Sequence, residues 1–517
     1  MESKKSLLFA WERFKGFWNQ YKKSRRGMLG LIIIALFGVI AVAAPVLSPL
    51  DPMEPKWPGY YPGGDQPKLC GKLAVPIWYK SLLGMQSLPE NMEAIEDHEL
   101  ALTETFDKWK LKTSQTGYDV TVQYNPTGGT LDDGCIEIVY KRDATQQLPS
   151  GGKFTIILGR EFVFPYEDSP KSIFFHYSVK LENRTLLAAF PLGVTTSYRR
   201  GTEPQSMTVK SQTWPILQVA DKWYSKSGYT QGEVGPIEED IFTGSGNYTH
   251  QITLTITDDR EGSNADVTVY VDNVQSLLYG KAFGLLGTSS IPLSSPRDLF
   301  TMLLYGTRIS FMIGLLTAIL SVAIGLAVGL VSGYVRGLVD EGLMRFADFL
   351  LVLPGLPLLI VLVTVLGRSI WNIVGVLIFM GWMGFSRTVR SMVLSLRERP
   401  FIESAKAAGA GTFYVIYRHI LPNVFALVYI SLATAVPGAI ISEASLAWLG
   451  LGDITIPSWG IMLYDFSATQ TAIVKGLGEY WFWVIPPGVA IAVMAMAFIL
   501  MGFALDEILN PKLRQRR

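Results

Sequence analysis

The sequence ISFMIGLLTAILSVAIGLAVGLVSGYV, residues Ile309–Val335, runs for 27 residues without an Asp, Glu, Lys or Arg. About 20 apolar residues in a helix are enough to cross the hydrocarbon core of a bilayer. Inside the membrane every backbone amide must find its hydrogen-bond partner within the segment, which favours a helix. The stretch therefore predicts a transmembrane helix.

Five more charge-free stretches occur along the chain, one before this stretch and four after it. The two shortest are separated only by Arg368, and their combined length favours a tight helical hairpin over a single broken span. We therefore predict six transmembrane helices. The five further stretches are Gly27–Leu50, Phe349–Gly367, Ser369–Ser386, His419–Ser442 and Tyr480–Leu505.

The composition of the whole chain agrees with a membrane protein. Of its 517 residues, 49% are hydrophobic and 17% are charged, and the formal net charge is +1. Soluble proteins carry about 25% charged residues, so the composition disfavours soluble, disordered and fibrous classes. A net charge near zero also excludes a nucleic-acid binder that relies on a broad positive surface.

Lysine and arginine collect in three segments that six spans would place on one side of the membrane. The segment before Gly27 has eight of them against two Glu, Arg387–Arg418 has six against two Glu, and the residues after 511 are basic. Cytoplasmic loops carry such an excess. We therefore expect a multi-pass protein of the cell (inner) membrane with both termini in the cytoplasm and residues from about 51 to 300 outside.

Residues 51–308, between the first two predicted spans, have a different composition. Asp51–Gly64 is rich in Pro and Gly, as linkers are, and apolar residues then alternate with polar ones. This alternation indicates half-buried strands, so we predict a mainly-β domain of β-sandwich or jelly-roll type. Asp258–Gly262 is predicted to be a hairpin turn, and a short helix is expected around Asn91–Lys112. The predicted strands are Cys135–Tyr140, Lys153–Leu158, Ile173–Val179, His250–Thr257 and Ala265–Asp272.

The same segment contains both cysteines of the chain, Cys70 and Cys135. An oxidising exterior would permit a disulfide between them, and the sequence leaves their pairing open. Asn183-Arg-Thr and Asn247-Tyr-Thr match the acceptor motif for N-glycosylation, which has meaning only in a host that glycosylates. The histidines have no metal-ligand spacing. We predict no metal site and no catalytic residue.

The loop between the fourth and fifth predicted spans has the sequence RERPFIESAKAAGAGTFYVIYRHILPN, Arg397–Asn423. Pro400 suits an early helix position, and Glu403 then lies near the positive end of the helix dipole. Small residues follow, and Gly409 allows the helix to end in a turn. We expect a short helix, a turn and a second amphipathic segment that dock into a groove of another protein. The small face consists of Ser404, Ala405, Ala407 and Ala408.

The spacing of this loop resembles the EAA signature of bacterial and archaeal ATP-binding-cassette importer permeases. Glu403-Ser404-Ala405 is followed after three residues by Gly409 and later by Leu421-Pro422. Family members often have Ala where this chain has Ser404 and Ile where it has His419, so two positions depart from the pattern. The form Arg-His-Ile-Leu-Pro-Asn resembles the dipeptide/oligopeptide/nickel subfamily, and most of all its C-type permease subunit.

Further matches to that subfamily occur in the same order as in its members, and together they cover residues 1–50 and about 280–517. The members usually have a much shorter first outer loop, so a domain is inserted here. The resemblance implies an all-α membrane domain of six helices, like that of type I importer permeases, with the insert at 51–280 and a coupling loop at about 397–423. The further matches are Leu304–Ser310, Gly333–Glu341, Met344–Asp348, Glu443–Gly452, Pro457–Gly460 and Leu509–Arg514.

The resemblance also implies a division of labour between subunits. The sequence contains no G-x-x-x-x-G-K-[ST] phosphate loop, so we expect this chain to bind no cofactor and to be no enzyme. ATP and Mg would be used by two ATPase subunits. The other implied partners are a second homologous permease subunit, an extracytoplasmic substrate-binding protein and membrane lipid. Nucleic acid is not expected to be a partner. The residues expected to couple to an ATPase subunit are Glu403, Ser404, Ala405, Ala408, Gly409, Leu421 and Pro422.

Peptides are the expected cargo. Oligosaccharides and nickel chelates remain alternatives, because members of the subfamily transport each of them. The sequence does not identify the substrate-binding residues. The inserted domain would dock or replace the binding protein, or brace the assembly. A hypothesis from another class is a membrane-anchored receptor or adhesion protein that acts through its outer domain, but it gives no reason for the Glu403–Gly409 segment.

Two features inside the predicted spans have alternative interpretations. Glu443 lies at the end of a span, where it would be a functional intramembrane carboxylate or would organise the loop that follows. Gly314, Gly325, Gly329 and Gly333 recur along the second span. We interpret these glycines as positions of close helix packing rather than as a substrate path.

Overall fold

The protein consists of two compact units. The helical unit comprises Met1–Met53, Ser290–Leu293 and Leu299–Arg517, and the β unit comprises Glu54–Ser289 and Ser294–Asp298. The predicted linker residues 57–66 and the basic tail from residue 510 lie outside the described residues. The computed structural model describes residues 15–56, 67–82, 84–95, 100, 103–130, 134–183, 192–201, 206–214, 222–230, 237–259, 261–290 and 296–509.

In its described part, the helical unit contains five helices that are long and apolar enough to cross a membrane, or six if one bent pair counts as a span. The bent pair turns by 94° between Val352 and Gly355, where Pro354 interrupts the helix because it lacks an amide hydrogen. The predicted continuous span Phe349–Gly367 is therefore wrong at this point. The predicted span Ser369–Ser386 extends further, to Arg397.

The principal helices of this unit, in chain order, are α1 (Arg25–Leu47), α2 (Leu299–Val335), α3 (Leu338–Val352), α4 (Gly355–Leu366), α5 (Ile370–Gly381), α6 (Met383–Arg397), α7 (Pro400–Ala407), α8 (Thr412–Val415), α9 (Leu421–Leu446), α10 (Trp459–Ala468) and α11 (Gln470–Leu509).

The glycines of α2 lie where other helices approach its backbone. A Cβ atom built at Gly314 would lie 2.7 Å from Cγ1 of Ile440 in α9, and one at Gly329 would lie 2.6 Å from the carbonyl oxygen of Ser386 in α6. Both distances are too short for real contacts, so only glycine permits this packing. Gly325 and Gly333 approach the residues of α6 in the same way. The prediction of close helix packing is confirmed.

The β unit contains two antiparallel sheets. The first has the order β3-β4-β11-β6-β9, with the short strand β1 also paired to β11, and the second has the order β2-β5-β10-β7-β8. The strands are β1 (Met92–Glu93), β2 (Trp109–Thr113), β3 (Asp119–Asn125), β4 (Cys135–Arg142), β5 (Lys153–Phe164), β6 (Ser172–Asn183), β7 (Leu192–Arg200), β8 (Met207–Trp214), β9 (Tyr224–Tyr229), β10 (Gly246–Thr257) and β11 (Ala265–Tyr279).

Alternate residues of both sheets form one apolar core. Ile138 in β4, Ile156 in β5 and Val269 in β11 are fully buried in the same cluster. Side chains from two sheet faces that interdigitate in this way define a β-sandwich. The predicted fold class is confirmed, and each of the five predicted strands lies within one of the observed strands. Of the helix expected around Asn91–Lys112, the described residues (91–95, 100 and 103–112) contain only the single turn Thr103–Phe106.

The predicted hairpin at Asp258–Gly262 is wrong. Strand β10, before it, lies in the second sheet between β5 and β7, whereas β11, after it, lies in the first sheet between β4 and β6. The chain crosses from one sheet to the other at this turn. Asp258 itself is only 1% exposed and bonds to β4, so its carboxylate is turned inward and does not cap a solvent-exposed hairpin.

Asp258 forms a buried ion pair with Arg142. Its Oδ2 atom accepts hydrogen bonds from Nε of Arg142 at 2.6 Å and from the hydroxyl of Tyr140 at 2.8 Å, and its Oδ1 accepts one from Nη2 of Arg142 at 2.9 Å. Both charged side chains are 1% exposed. The bidentate geometry satisfies both carboxylate oxygens, which a buried charge requires.

The β unit should lose stability on acidification because of His250. This residue in β10 is 1% exposed, its ring lies 5.0 Å from the ring of Tyr198, and burial lowers its pKa to about 3. The unfolded chain takes up a proton near pH 6.5 and the folded chain does not. The contribution of neutral His250 to the free energy of unfolding is therefore fully present above pH 6.5. It is lost as the pH falls toward 3, by up to about 1.4 kcal/mol per pH unit.

Hydrogen exchange of the β10 peptides in the full-length protein, corrected for the intrinsic effect of pH, measures this dependence. The His250→Phe variant should show a smaller loss of protection between pH 7 and pH 5 than the unsubstituted protein. Equal losses in both proteins would contradict the assignment to His250.

Candidate functional site

The 397–423 loop begins with the short helix α7, as predicted. Pro400 occupies the first helical turn, after Arg399 in an extended conformation, and Glu403 lies in the same turn. Gly409 has a φ of +83°, and the amides of Gly409 and Ala410 bond to the carbonyl oxygens of Lys406 and Ala405 at 2.9 and 3.0 Å. These two bonds are the Schellman arrangement, in which a left-handed glycine ends a helix.

A buried apolar cluster holds the loop against the ends of α2 and α6. Ile402 from α7, Val415 from α8 and Ile420 are each fully buried. They pack in one cluster with Leu330 and Tyr334 of α2, Val389 and Val393 of α6 and Val424 of α9. A movement of the loop would therefore be transmitted directly to the apolar residues of three long helices.

The opposite side of α7 is exposed and almost without bulk. Glu403, Ser404, Ala408 and Gly409 are exposed, whereas Ala405 is half-buried. The Ser404 hydroxyl donates to the carbonyl oxygen of Pro400 at 2.9 Å, so it is already satisfied within the helix. Another protein could therefore approach the backbone of α7 closely. Of the remaining predicted residues, Leu421 is half-buried and Pro422 is exposed.

Exposed aromatic side chains border this small face, and the sequence analysis missed them. Phe413 is 81% exposed, Tyr417 is 64% exposed and Tyr414 is 55% exposed. The rings of Phe413 and Tyr417 are nearly parallel, with centroids 6.3 Å apart. Large aromatic residues anchor many protein interfaces. The signal in the sequence was the spacing of Phe413 and Tyr417 by four residues, which puts them on one helical face.

Cations fix the connection between α6 and α7. Nη1 of Arg397 donates to the carbonyl oxygen of Tyr334 at 2.8 Å, and Nζ of Lys406 lies 5.2 Å from the centre of the Tyr334 ring. Arg336 bonds to Glu398 at 3.1 Å. The end of α2 is thereby tied to both sides of the loop by charged groups as well as by apolar packing.

Two acidic residues of α3 bind two arginines of α6. The carboxylate of Asp340 accepts hydrogen bonds from Arg390 at 2.6 and 2.7 Å and from Ser332, and Asp348 pairs with Arg387. Asp340 and Asp348 belong to the stretches Gly333–Glu341 and Met344–Asp348 that resemble the permease subfamily. Their role here is to fasten α3 to the helix that leads into the 397–423 loop.

Glu443 organises the loop that follows α9. Its Oε1 accepts a hydrogen bond from the hydroxyl of Ser458 at 2.7 Å, and Ser458 in turn accepts one from the amide of Ile461 at 3.1 Å, which caps α10. Trp459, beside it, is fully buried. The bond of Oε1 agrees with the loop-organising interpretation. The other carboxylate oxygen, Oε2, is buried without a hydrogen-bond partner among the described residues, so the interpretation as a functional intramembrane carboxylate stays open.

The remaining predicted sites lie in the β unit. Cys70 and Cys135 are both buried, and no disulfide joins them in the structure, so the pairing that the sequence left open is not formed. Asn247 is exposed at the start of β10, and Asn183 ends β6, where its side chain lies outside the described residues. Among the described residues, no group of three or more His, Cys, Asp or Glu side chains could hold a metal ion.

The helical unit therefore belongs to a polytopic membrane protein with a short helix, α7, between two long helices. Residues 325–515 match the family model "Binding-protein-dependent transport system inner membrane component", and residues 12–62 match "N-terminal TM domain of oligopeptide transport permease C". The chain belongs to the former family, the permeases of ATP-binding-cassette importers, and is an integral membrane protein. Neither match includes residues 63–324, which contain most of the β unit.

Curated relatives agree with this assignment. The dipeptide transport system permease protein DppC of Escherichia coli (strain K12) is 39% identical over 237 residues, which are 46% of this chain and 75% of that protein. DppC of Bacillus subtilis (strain 168) is 35% identical over 42% of this chain and 67% of that protein. The oligopeptide transport system permease protein OppC of the same organism is 34% identical over 42% of this chain and 70% of that protein.

Among solved structures, carbohydrate-binding modules from the β-sandwich superfamily match with a TM-score of 0.24 and 11% identity, over 41% of this chain and 64% of theirs. A similarity at this level says nothing about a ligand.

Proposed function

We propose that this chain is the C-type permease subunit of an ATP-driven importer of peptides. Relatives whose names specify dipeptide and oligopeptide transport support the cargo. The observation that carries the mechanism is α7, which ends at Gly409 in a left-handed conformation and exposes a small face while Ile402 fixes its other side.

The 397–423 loop is the coupling element of this importer. An ATPase subunit binds the exposed face of Glu403, Ser404, Ala408 and Gly409, and the neighbouring aromatic residues anchor it. Because Ile402, Val415 and Ile420 pack on α2, α6 and α9, closure of the ATPase subunits would bias the helices between two arrangements. A two-state element that both sites influence is what coupling requires.

An importer of this kind needs further subunits besides this chain. A second permease subunit completes the pathway, two ATPase subunits bind ATP and Mg, and an extracytoplasmic binding protein delivers the peptide. Both termini and the 397–423 loop lie in the cytoplasm, and the β unit lies outside. The distribution of Lys and Arg supports this orientation.

Affinity purification of the full chain from its native membranes in mild detergent tests the proposal. We expect two ATPase subunits and a second permease to co-purify, and ATP hydrolysis by the complex to increase with a peptide-loaded binding protein. Purification of the chain alone, without ATPase activity and with a control complex that survives the same detergent, would contradict the importer and favour a receptor that acts through the β unit.

A further inference from the structure

A groove of about 360 Å³ opens inside the helical unit between α2, α4, α5 and α9. Its volume lies in the range of small-molecule sites, about 300–1,000 Å³. All residues that line it are uncharged, and most are small or carry hydroxyl groups. Representative lining residues are Thr317 and Ser321 from α2, Gly355 from α4, Gly381 from α5, and Gly438 and Ser442 from α9.

The hydroxyl group of Thr317 distinguishes this groove from a simple gap between helices. Thr317 is 4% exposed, and its Oγ1 has no hydrogen-bond partner in the described part of the chain. Buried hydroxyls are normally paired, and in helices they usually bond to the carbonyl four residues earlier. Thr307, in the same helix, does this at 3.0 Å to Leu303, and Thr364 in α4 does it at 2.7 Å to Ile360.

A second hydroxyl, one helical turn further along α2, is weakly bound. Oγ of Ser321 lies 3.5 Å from the carbonyl oxygen of Ile378, which is the outer limit of a hydrogen bond. Thr317 and Ser321 are four residues apart and therefore lie on the same face of α2. The groove thus offers two adjacent hydroxyl groups that can donate to or accept from a polar molecule.

Two of the three lining glycines, Gly355 and Gly438, lie beside open space, whereas a Cβ atom at Gly381 would lie 2.5 Å from Oγ of Ser321. A Cβ atom built at Gly355 or at Gly438 would meet no atom within 4 Å. Gly314, Gly325, Gly329 and Gly333 of α2 differ, because a Cβ atom there would approach the residues of α9 or α6 too closely. Gly355 also begins α4 after the 94° bend, so the electropositive end of that helix lies at the wall of the groove.

We propose that this groove is the surface on which the subunit contacts its cargo during transport, and that it takes a segment of peptide main chain. The inference rests on the proposed function. Peptide amide groups are uncharged donors and acceptors that match the hydroxyls of Thr317 and Ser321. A wall of uncharged, small residues has no ionic preference among cargo side chains, which suits an importer of peptides with varied sequences.

The first test fills the groove. The Gly438→Leu variant should still co-purify with its ATPase subunits and second permease, since a Cβ atom at this position meets no atom of this chain within 4 Å. Its uptake of trialanine into proteoliposomes should fall at least about tenfold, because the rest of the leucine side chain occupies the groove. Gly375→Leu is the matched control, because Gly375 in α5 also has open space around a Cβ atom but lies outside the groove. It should retain uptake.

Three outcomes of this test are distinct. Uptake by Gly438→Leu within twofold of that of the unsubstituted complex would overturn the inference. Loss of the second permease from the purified complex would also overturn it, because a helix of that subunit would then occupy the groove. An unsubstituted complex that hydrolyses ATP but imports no peptide would instead contradict the peptide cargo of the proposed function.

The second test removes one hydroxyl group. Thr317→Val keeps the shape of the side chain, and we expect the KM for peptide uptake to rise about fivefold, the effect of one typical hydrogen bond. Thr307→Val is the control, since its hydroxyl is satisfied within α2 away from the groove. A KM that is unchanged in Thr317→Val, or equally raised in both variants, would show that the Thr317 hydroxyl does not bind cargo.

Discussion

Replacement of Gly409 by arginine should release the ATPase subunits from the complex and lower peptide uptake at least about tenfold. Gly409 is exposed beside the small face of α7, and a Cβ atom there would meet no atom of this chain within 4 Å. The Cβ atom of the arginine therefore collides with nothing in the helical unit, although the left-handed φ of Gly409 strains any residue other than glycine. A partner that contacts the α7 backbone would collide with the arginine side chain. Co-purification from mild detergent and uptake into proteoliposomes measure the two effects.

Two alanine variants separate docking from backbone strain. Gly409 has a φ of +83°, so Gly409→Ala would cost about 1–2 kcal/mol in the left-handed region. Gly411 has an ordinary φ of −68° and also has open space around a Cβ atom, so Gly411→Ala should be neutral. If Gly409→Arg keeps its ATPase subunits and its uptake, the loop is not the docking site.

The Asp258→Ala substitution should destabilise the β unit by about 3–5 kcal/mol, because it leaves the Arg142 charge buried without a partner. Both side chains are 1% exposed, so water cannot replace the carboxylate. Pulse proteolysis of the full-length protein in urea would measure the change in the free energy of unfolding. An exposed pair in the same unit, Lys110 and Glu161 at 2.7 Å, provides the control, and Glu161→Ala should cost less than about 1 kcal/mol.

A double substitution identifies the cause of that loss. Replacing Arg142 by Met in the Asp258→Ala background removes the unpaired charge and should recover part of the stability. If the double variant is less stable than Asp258→Ala, the arginine contributes mainly through its packing and not through its charge.

In the β unit, the strands could be predicted from the sequence, but the way in which they pair could not, because pairing joins residues that are far apart in the chain. Strand positions could be predicted, because alternation of apolar and polar residues is a local property. The turn at Asp258–Gly262 has residues typical of a hairpin, but its flanking strands pair with β5 and β4. Asp258 is also buried against Arg142, which lies 116 residues earlier in the sequence, and no local pattern reveals this contact.

More of the helical unit could be predicted, because the thickness of the bilayer fixes how long a charge-free stretch must be to cross it. The 397–423 loop could be located from its small residues and its spacing. The unpaired hydroxyl of Thr317 could not be predicted, because threonine in a helix is normally satisfied by the preceding turn. Only the packed structure distinguishes Thr317 from Thr307.

The position of β11 determines the order in which the β unit can fold. It is the last strand in the sequence, yet it lies in the centre of its sheet and pairs with β4, β6 and β1. The strands that are synthesised earlier cannot complete this sheet before β11 is available, and contacts between residues far apart in the sequence form slowly. The nascent unit therefore exposes incomplete sheets until Tyr279 has been synthesised. A chain that terminates before Ala265 would leave no complete first sheet to protect it from proteolysis.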